Sequence, residues 1–408
     1  MALPQLSIWQ PGDGLRKIKY KYHVCLIVIF SVLIRLLFLT DRYLWCDEAS
    51  SVLISRHSVD NLLFHTAFDV HPPLYYLLLH DWIILLGDSI AAVRSLSLLF
   101  GILTVVLVIA LTRWLANERT ALLAGWFAAL MPMAVHYSQE TRMYALMGML
   151  TLAAALALMM WIKTPTHNRY LVAYALLMTF SFYTHYFTLF ALITHWIAVT
   201  ILSCQSHKTA CYLKLPGWWF ANLAIAVAYL PWLPVLFNLL THLAQLRAGN
   251  DIGWIPPVTW RDLPVMYWHF FTGNNGQSFP SIILWLAVGS FIGTVGRISL
   301  CNEEYERYQL IQLILFCNLV RYQLILFCNL VIPVMLVFII SWWMPLFIDR
   351  YFFFSSLSIP PLLAVLLTRA KKAVCGFWFK QKKRFVASGL SYSPYYSAMV
   401  HIIITLST

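Results

Sequence analysis

Charged residues are scarce in this sequence. Only 11% of its 408 residues are Asp, Glu, Lys or Arg, and 61% are hydrophobic, against about 25% and 45–50% in a typical soluble domain. The mean hydropathy is +0.73. This composition excludes a soluble globular protein and predicts a polytopic membrane protein with helical spans.

Motifs for nucleotide and zinc chemistry are also absent. The sequence has no G-x-x-x-x-G-K-[ST] phosphate loop, no G-x-G-x-x-G dinucleotide loop and no zinc-like Cys/His spacing. Its eight cysteines indicate no disulfide framework, because we predict only Cys46 on the outer side of the membrane. The net charge of +12 does not indicate nucleic acid, because the basic residues flank apolar runs, as membrane anchors do.

Apolar runs separated by short polar segments predict about ten transmembrane helices. The first run, about residues 23–41, follows several basic residues and lacks a small-residue cleavage site, which favours an uncleaved signal anchor. Arg35, near its outer end, is predicted to snorkel towards the membrane surface. The later spans are predicted at 90–112, 120–137, 145–162, twice within 170–203, at 217–240, at 280–297, once within 308–340 and at 351–368.

The apolar segment 73–87 is too short to be an ordinary span. As a helix, its fifteen residues reach about 22 Å, less than the roughly 30 Å of a hydrocarbon core. We therefore predict a juxtamembrane or re-entrant helix within a first outer loop at 42–89. This choice places every lysine on the cytoplasmic side, in agreement with the positive-inside rule.

A duplication lengthens the apolar run at 308–340. The nonapeptide QLILFCNLV occurs at 312–320 and again at 323–331, with Arg321 between the copies. Because a charge in the middle of a span is costly, we predict one span with an insertion rather than two spans. Two spans would move the basic tail at 371–408 to the outer side.

Under this topology, polar side chains concentrate at the outer ends of the spans. They are Asp47, Glu48, Asp69, His71, Glu140, Arg142, Tyr144, His185, Tyr186, Asp349 and Arg350. Such a cluster suits transfer from a lipid-phosphate donor, because a carboxylate can deprotonate an acceptor and cations can hold the leaving phosphate. A passive face of solvated charges is the alternative that spacing alone leaves open.

The first outer loop carries the strongest of these signals. Asp47 and Glu48 are adjacent, so on a helix they diverge by about 100°, and one can face a groove while the other orients it. The Pro-Pro pair at 72–73 predicts a helix that starts at the next residue. Asp69 and His71 would then lie at the mouth of that helix.

An ordered set of motifs resembles a known family. WCDEA at 45–49, DVHPPLYYLLL at 69–79, SQETRMYAL at 138–146, YTHYF at 183–187, WIPP at 254–257 and DRYFFFSSLSIPPLLAVLL at 349–367 follow one another in this order. Together they resemble the GT-C membrane glycosyltransferases, in the branch of the protein O-mannosyltransferases, the lipid A aminoarabinose transferase and the bacterial RgtA/B/C/D-like enzymes. The resemblance covers about residues 23–370.

The resemblance implies a fold and a set of roles. The implied fold is an all-α GT-C domain over 1–370, with about ten transmembrane helices and juxtamembrane helices in the first outer loop. The implied catalytic carboxylate is Asp47, supported by Glu48 and Asp69. The residues implied for the donor phosphate or substrate are His71, Glu140, Arg142, Tyr144, His185 and Arg350. No metal ligand is assigned, although carboxylates leave a divalent metal, Mg²⁺ or Mn²⁺, open.

We therefore predict an inverting membrane glycosyltransferase that uses a polyprenyl-phosphate sugar and a lipid, glycan or protein acceptor. Hexosyl and pentosyl transfer both fit. The predicted location is the bacterial inner (plasma) membrane, as a multi-pass protein surrounded by membrane lipid, with its site towards the periplasm or exterior. Residues 371–408 are predicted as a basic cytoplasmic tail, truncated or irregular relative to that family.

Two other functions are weighed against this one. A transporter or flippase for a lipid-linked anion predicts charges near the bilayer midplane and an inverted repeat, neither of which the sequence shows. A non-catalytic lipid-binding subunit would share the groove and would need no carboxylate base.

Overall fold

The protein is built from α-helices. The computed structural model describes residues 12–205, 211–248, 255–273 and 309–368, and within these ranges it contains no β-strand. The helices are α1 (Gly12–Leu36), α2 (Cys46–Ser55), α3 (Val59–Ala67), α4 (Leu74–Leu86), α5 (Ile90–Leu115), α6 (Glu118–Leu130), α7 (Pro132–Ser138), α8 (Tyr144–Lys163), α9 (Arg169–Phe182), α10 (Thr188–Gln205), α11 (Pro216–Tyr229), α12 (Leu233–Ala248), α13 (Asp262–Thr272), α14 (Gln309–Ile340), α15 (Phe353–Ser356) and α16 (Ile359–Thr368). Packing divides the chain into two units, Met1–Leu362 and Leu363–Thr408.

In the described ranges, four helices are long and apolar enough to cross a membrane. They are α5, α8, the stretch Pro216–His242 formed by α11 and α12, and Gln323–Ile340 within α14. The count rises to six if α6 with α7, and Asp349–Ser356 with α16, are each taken as one broken span. The all-α membrane class is thus confirmed, whereas ten spans stays a prediction. The span predicted at 280–297 and the tail at 371–408 lie outside the described residues.

Both copies of the duplicated nonapeptide lie in one helix. Helix α14 runs through 32 residues without interruption, in agreement with the prediction of a single span. A helix of that length measures about 48 Å, which exceeds a hydrocarbon core of roughly 30 Å. The insertion therefore lengthens the helix beyond the part needed to cross a membrane.

The first loop begins and ends at the same end of the helical assembly. Arg94, near the start of α5, donates to the carbonyl oxygens of Leu39 (2.6 Å) and Arg42 (3.1 Å), which follow the end of α1. The chain therefore leaves α1 and enters α5 at one end. Helices α2, α3 and α4 lie in the connection between these two points.

Helix α4 lies beside the first turns of α5 and runs in the opposite direction. The hydroxyl groups of Tyr75 and Ser97 are 2.7 Å apart, and Trp82 Nε1 donates to the carbonyl oxygen of Ala92 at 3.0 Å. The later residue of α4 thus contacts the earlier residue of α5. This geometry agrees with the predicted re-entrant helix, and the helix starts at Leu74 as the Pro-Pro pair predicted.

Arg35 does not snorkel, contrary to the prediction from its position. Its side chain is fully buried, and its guanidinium donates to the carbonyl oxygens of Ala128 (3.3 Å) and Ala129 (3.1 Å). These carbonyls lie where α6 breaks into α7 with a bend of 59°. Pro132 begins α7 and has no N–H, so it cannot bond the carbonyl of Ala128. Arg35 supplies the donors that this break requires, which explains its burial.

We expect Arg35→Met to lower the stability of the protein. The substitution leaves buried carbonyls without donors, and each unsatisfied buried group costs about 1–3 kcal/mol. Thermal unfolding of the purified protein in detergent would measure the change. Arg119→Met, which removes an exposed arginine at the start of α6, is the matched control. Equal unfolding temperatures for the two variants would show that the Arg35 contacts are not stabilising.

Candidate active site

The two adjacent acids at the start of α2 have different surroundings. Glu48 is fully buried, and its carboxylate accepts hydrogen bonds from Arg94 Nε (2.9 Å), Arg94 Nη2 (2.7 Å) and the amide of Thr141 (2.8 Å). Asp47 keeps 30% of its side chain exposed, and its Oδ2 accepts from Arg350 Nη1 at 3.0 Å. Only Asp47 is therefore placed to meet a substrate, while Glu48 holds the start of α2 in position.

Arg94 is a site residue that the motifs did not identify. Besides bonding Glu48, it holds the backbone after α1 through several carbonyl oxygens, including that of Tyr43 at 3.3 Å. The sequence carried one signal for it. A charged residue inside an apolar span is a functional candidate by default, and Arg94 lies within the predicted span 90–112.

Arg142 holds the first turn of α2 from the other side. Its Nη1 donates to the carbonyl oxygen of Asp47 (3.0 Å) and to Ser51 Oγ (2.9 Å). Its Nη2 lies 4.0 Å from Asp47 Oδ2 and 3.5 Å from His71 Nδ1. Arg142 and Arg350 therefore both lie beside the Asp47 carboxylate. Two guanidinium groups at one point form a suitable site for a phosphate.

His185 has a defined tautomer and a buried N–H that donates to none of the described residues. It lies between α9 and α10 with only 3% of its surface exposed, and the backbone amide of Phe187 donates to its Nδ1 at 3.1 Å. Because an amide N–H can only donate, Nδ1 is unprotonated, and the proton of the neutral ring is on Nε2. This Nε2 is buried and has no hydrogen-bond partner among the described residues. A buried N–H without an acceptor is a position where a ligand oxygen can bind.

The rings around His185 connect the other predicted residues. The ring centroid of His185 lies 5.2 Å from that of His71, 5.9 Å from that of Tyr144 and 5.3 Å from that of Tyr351. Burial, followed by the neighbouring His71 and the two arginines, holds the pKa of His185 well below its ordinary value. Burial also lowers the pKa of His71. Both shifts favour the neutral form of the rings.

Asp69 is held as a carboxylate at the mouth of α4. Burial alone would raise its pKa, but His71, the Tyr76 hydroxyl and the Val70 amide together lower it to about 2. The Tyr76 hydroxyl donates to Asp69 Oδ2 at 2.6 Å, and His71 Nδ1 lies 3.7 Å from the same oxygen. Asp69 therefore supports His71 and does not itself contact Asp47.

Glu140 lies at the edge of the cluster. Its Oε1 is 3.1 Å from His136 Nε2, and its described side-chain contacts include none of the other predicted site residues. Tyr144 lies inside the cluster, with its ring centroid 6.0 Å from the Cζ atom of Arg142. The structure thus brings eight of the nine predicted residues together and leaves Glu140 beside them.

A further pair beside Arg350 was not predicted. Asp349 was noted among the outer polar residues, but His269 in α13 was not, because a histidine within an apolar stretch forms no motif. Its Nδ1 lies 2.8 Å from Asp349 Oδ2. Among the described residues, no group of three or more His, Cys, Asp or Glu side chains is arranged to hold a metal ion.

Comparisons with known proteins found a matching family model and several solved structures of similar fold. A family model described as dolichyl-phosphate-mannose-protein mannosyltransferase matches residues 70–234. ArnT from Cupriavidus metallidurans in the apo state is similar in structure, with a TM-score of 0.52 and 16% identity over 88% of this chain and 61% of ArnT. No curated protein sequence matches significantly.

Two further solved structures contain lipid phosphates. ArnT from Cupriavidus metallidurans bound to undecaprenyl phosphate matches with a TM-score of 0.53 and 16% identity, over 85% of this chain and 60% of ArnT. The archaeal oligosaccharyltransferase AglB from Archaeoglobus fulgidus, in complex with an inhibitory peptide and a dolichol-phosphate, matches with a TM-score of 0.52 and 13% identity, over 96% of this chain and 54% of AglB.

These matches show the fold of the protein. The chain has the GT-C fold of the membrane glycosyltransferases, and the resemblance that the ordered motifs indicated is confirmed. It is an integral membrane protein. The chain spans about three fifths of the length of ArnT and about half of that of AglB.

Proposed function

We propose that this protein is an inverting glycosyltransferase that moves a hexose or pentose from a polyprenyl-phosphate sugar to an acceptor on the non-cytoplasmic face. One observation supports this function most directly. The partly exposed Asp47 carboxylate lies beside two guanidinium groups, in the same cluster as the buried His185 N–H, which has no acceptor in the part of the chain that the structure describes. This set supplies a base and an anion site at one point.

The proposed step needs one base and a binding site for the leaving phosphate. The acceptor oxygen forms a bond to the anomeric carbon as the bond from that carbon to the phosphate oxygen breaks on the opposite side, which inverts the configuration. Asp47 takes the proton of the acceptor. Arg142, Arg350 and His185 Nε2–H stabilise the charge that develops on the leaving phosphate. A role for Mg²⁺ or Mn²⁺ stays a prediction of the sequence.

The lipid-phosphate complexes of ArnT and AglB support the donor class. Undecaprenyl phosphate and dolichol-phosphate share a phosphate head and a polyprenyl tail, so both combine an anion with a membrane-soluble chain. The location that we propose is the bacterial inner membrane, with the Asp47 cluster towards the periplasm. A lipid, glycan or protein acceptor fits this placement equally well.

The two alternative functions predict different results. A transporter or flippase for a lipid-linked anion requires the anion to cross, so its transport would continue without sugar transfer. A non-catalytic lipid-binding subunit would bind the lipid phosphate and would not depend on the Asp47 carboxylate. Membranes that contain the protein and a polyprenyl-phosphate sugar should show labelled sugar on an acceptor if transfer is the function.

The tautomer of His185 allows a sharp test of the phosphate site. A Gln side chain can place its amide nitrogen near the position of Nε2, whereas Asn reaches only the position of Nδ1. We expect His185→Gln to retain most of the transfer activity and His185→Asn to lose about 10- to 100-fold, since a hydrogen bond to a charged group contributes about 1.5–3 kcal/mol. Initial rates of sugar transfer would measure the difference.

The pH dependence of these two variants adds a second readout. Because the lowered pKa of His185 keeps the ring neutral, its N–H donates without extra protonation. The activity of each variant relative to the unsubstituted protein should therefore stay constant from about pH 6.5 upward. Equal activity of the two variants would remove His185 Nε2 from phosphate binding.

A further inference from the structure

The segment 260–272, which contains α13, contacts the segment between α14 and α15 through Trp260 and through His269. The indole rings of Trp260 and Trp342 meet with centroids 5.2 Å apart. The second contact is the 2.8 Å pair of His269 and Asp349. Trp260 lies just before α13 and His269 lies in its last turn, and the helix rises by about 10 Å from Asp262 to His269. The two contacts therefore mark the ends of a strip, which we call the α13 strip.

The two ends of the α13 strip differ in chemistry. Trp260 and Trp342 are 64% and 53% exposed, and the buried ring of Phe338 lies behind both, at centroid distances of 5.5 and 6.3 Å. At the other end, the side chains of His269 and Asp349 keep 18% and 17% of their surface exposed. Because a carboxylate only accepts, the proton of a neutral His269 lies on Nδ1, and Nε2 carries a lone pair.

The polar end of the α13 strip is connected to the candidate catalytic base. Asp349 directly precedes Arg350, and Arg350 Nη1 donates to Asp47 Oδ2 at 3.0 Å. A molecule that lies along the strip with its end at His269 would thus reach the neighbourhood of Asp47. Exposed tryptophans alone would fit the aromatic belt of a membrane interface. A His–Asp pair beside the catalytic group is not required for such anchoring.

We propose that the α13 strip binds the acceptor and that the acceptor is a saccharide chain. A pyranose ring has an apolar C–H face that can pack on an exposed indole, and hydroxyl groups at its rim that can donate to His269 Nε2. The helix rise of about 10 Å between the two ends leaves room for more than one sugar unit. This inference rests on the proposed function, because it assigns the second substrate of the same site.

The test uses the whole protein in detergent and trisaccharides of glucose, mannose, galactose and N-acetylglucosamine as probes. Saturation-transfer NMR would measure saccharide binding, and undecaprenyl phosphate binding would be measured in parallel. We expect at least one trisaccharide to bind and its affinity to fall at least 10-fold in the Trp260→Ala/Trp342→Ala double variant. Trp219→Ala, which removes an exposed tryptophan of α11, should leave that affinity unchanged.

Substitution of His269 distinguishes a role in saccharide binding from a purely structural contact with Asp349. Asn can keep the donor to Asp349 in the position of Nδ1, but it has no atom at the position of Nε2. His269→Asn should therefore weaken trisaccharide binding about 10-fold while thermal unfolding and undecaprenyl phosphate binding stay as in the unsubstituted protein. Unchanged saccharide binding in this variant would show that His269 only joins two elements.

The remaining outcomes distinguish this inference from the proposed function. If undecaprenyl phosphate binds but no trisaccharide does, or if a Ser/Thr-containing peptide binds the strip instead, the saccharide assignment is overturned and the donor site stands. If neither undecaprenyl phosphate nor any trisaccharide binds, the proposed function fails together with the inference.

Discussion

Replacement of Asp47 by Asn is expected to lower sugar transfer by about 100- to 10,000-fold, the range that a positioned general base contributes. The amide keeps the size of the side chain and can accept from Arg350, but it cannot take a proton from the acceptor. Because Asp47 is the exposed member of the acidic pair, the loss should appear in kcat more than in the binding of the lipid donor.

The matched control for this substitution is Asp60→Asn. Asp60 is an exposed acid at the start of α3, in the same loop as Asp47. The assay follows labelled sugar from a polyprenyl-phosphate donor in membranes, with protein amounts equalised by immunoblot. Transfer by Asp47→Asn at the rate of Asp60→Asn would remove Asp47 from the mechanism and would favour the non-catalytic alternative.

Arg94→Met is expected to produce the largest loss of stability. Glu48 is fully buried and the Arg94 side chain is 7% exposed, so the substitution leaves a buried carboxylate without its cation. Breaking such a pair costs about 3–5 kcal/mol. Transfer should fall as well, because Glu48 holds the first turn of α2 and the amide of Thr141, which lies next to Arg142.

A double variant tests whether the cost comes from the unpaired charge. Glu48→Leu/Arg94→Met removes both charges and should recover much of the unfolding temperature lost in Arg94→Met, without recovering transfer. Arg56→Met is the control, because it breaks an exposed ion pair with Asp88, which is worth about 1 kcal/mol or less. If the double variant is less stable than Arg94→Met, the stability lost in Arg94→Met does not come from the unpaired charge of Glu48.

The sequence predicted those parts of the site whose positions are set by residues close to them in the chain. Two consecutive prolines fix the start of α4, so Asp69 and His71 were placed correctly at its mouth. The side chains of the adjacent acids at the start of α2 had to point in different directions, because consecutive residues of a helix are about 100° apart. The ordered motifs then indicated that distant segments share one site, and the Arg350–Asp47 contact at 3.0 Å agrees with that expectation.

The residues that the sequence misjudged or missed have partners far along the chain. Arg35 was predicted to snorkel from its position near the outer end of the first span. It donates to Ser31, four residues earlier, but its other acceptors lie in the break between α6 and α7, more than ninety residues later. Arg94 and His269 are likewise paired with Glu48 and Asp349, forty-six and eighty residues away. Such pairings depend on tertiary packing and leave no periodic pattern.

The length of the duplication in α14 has a rotational consequence. Eleven residues at about 100° each turn through about 1,100°, which is three full revolutions plus only about 20°. The repeat therefore displaces one part of the helix along its axis by about 16 Å with almost no change of azimuth. Ile325, Leu326, Cys328 and Asn329 of the second copy are buried. An insertion of nine or thirteen residues would have turned that surface by roughly 180° or 140° and presented the opposite side of the helix to its neighbours.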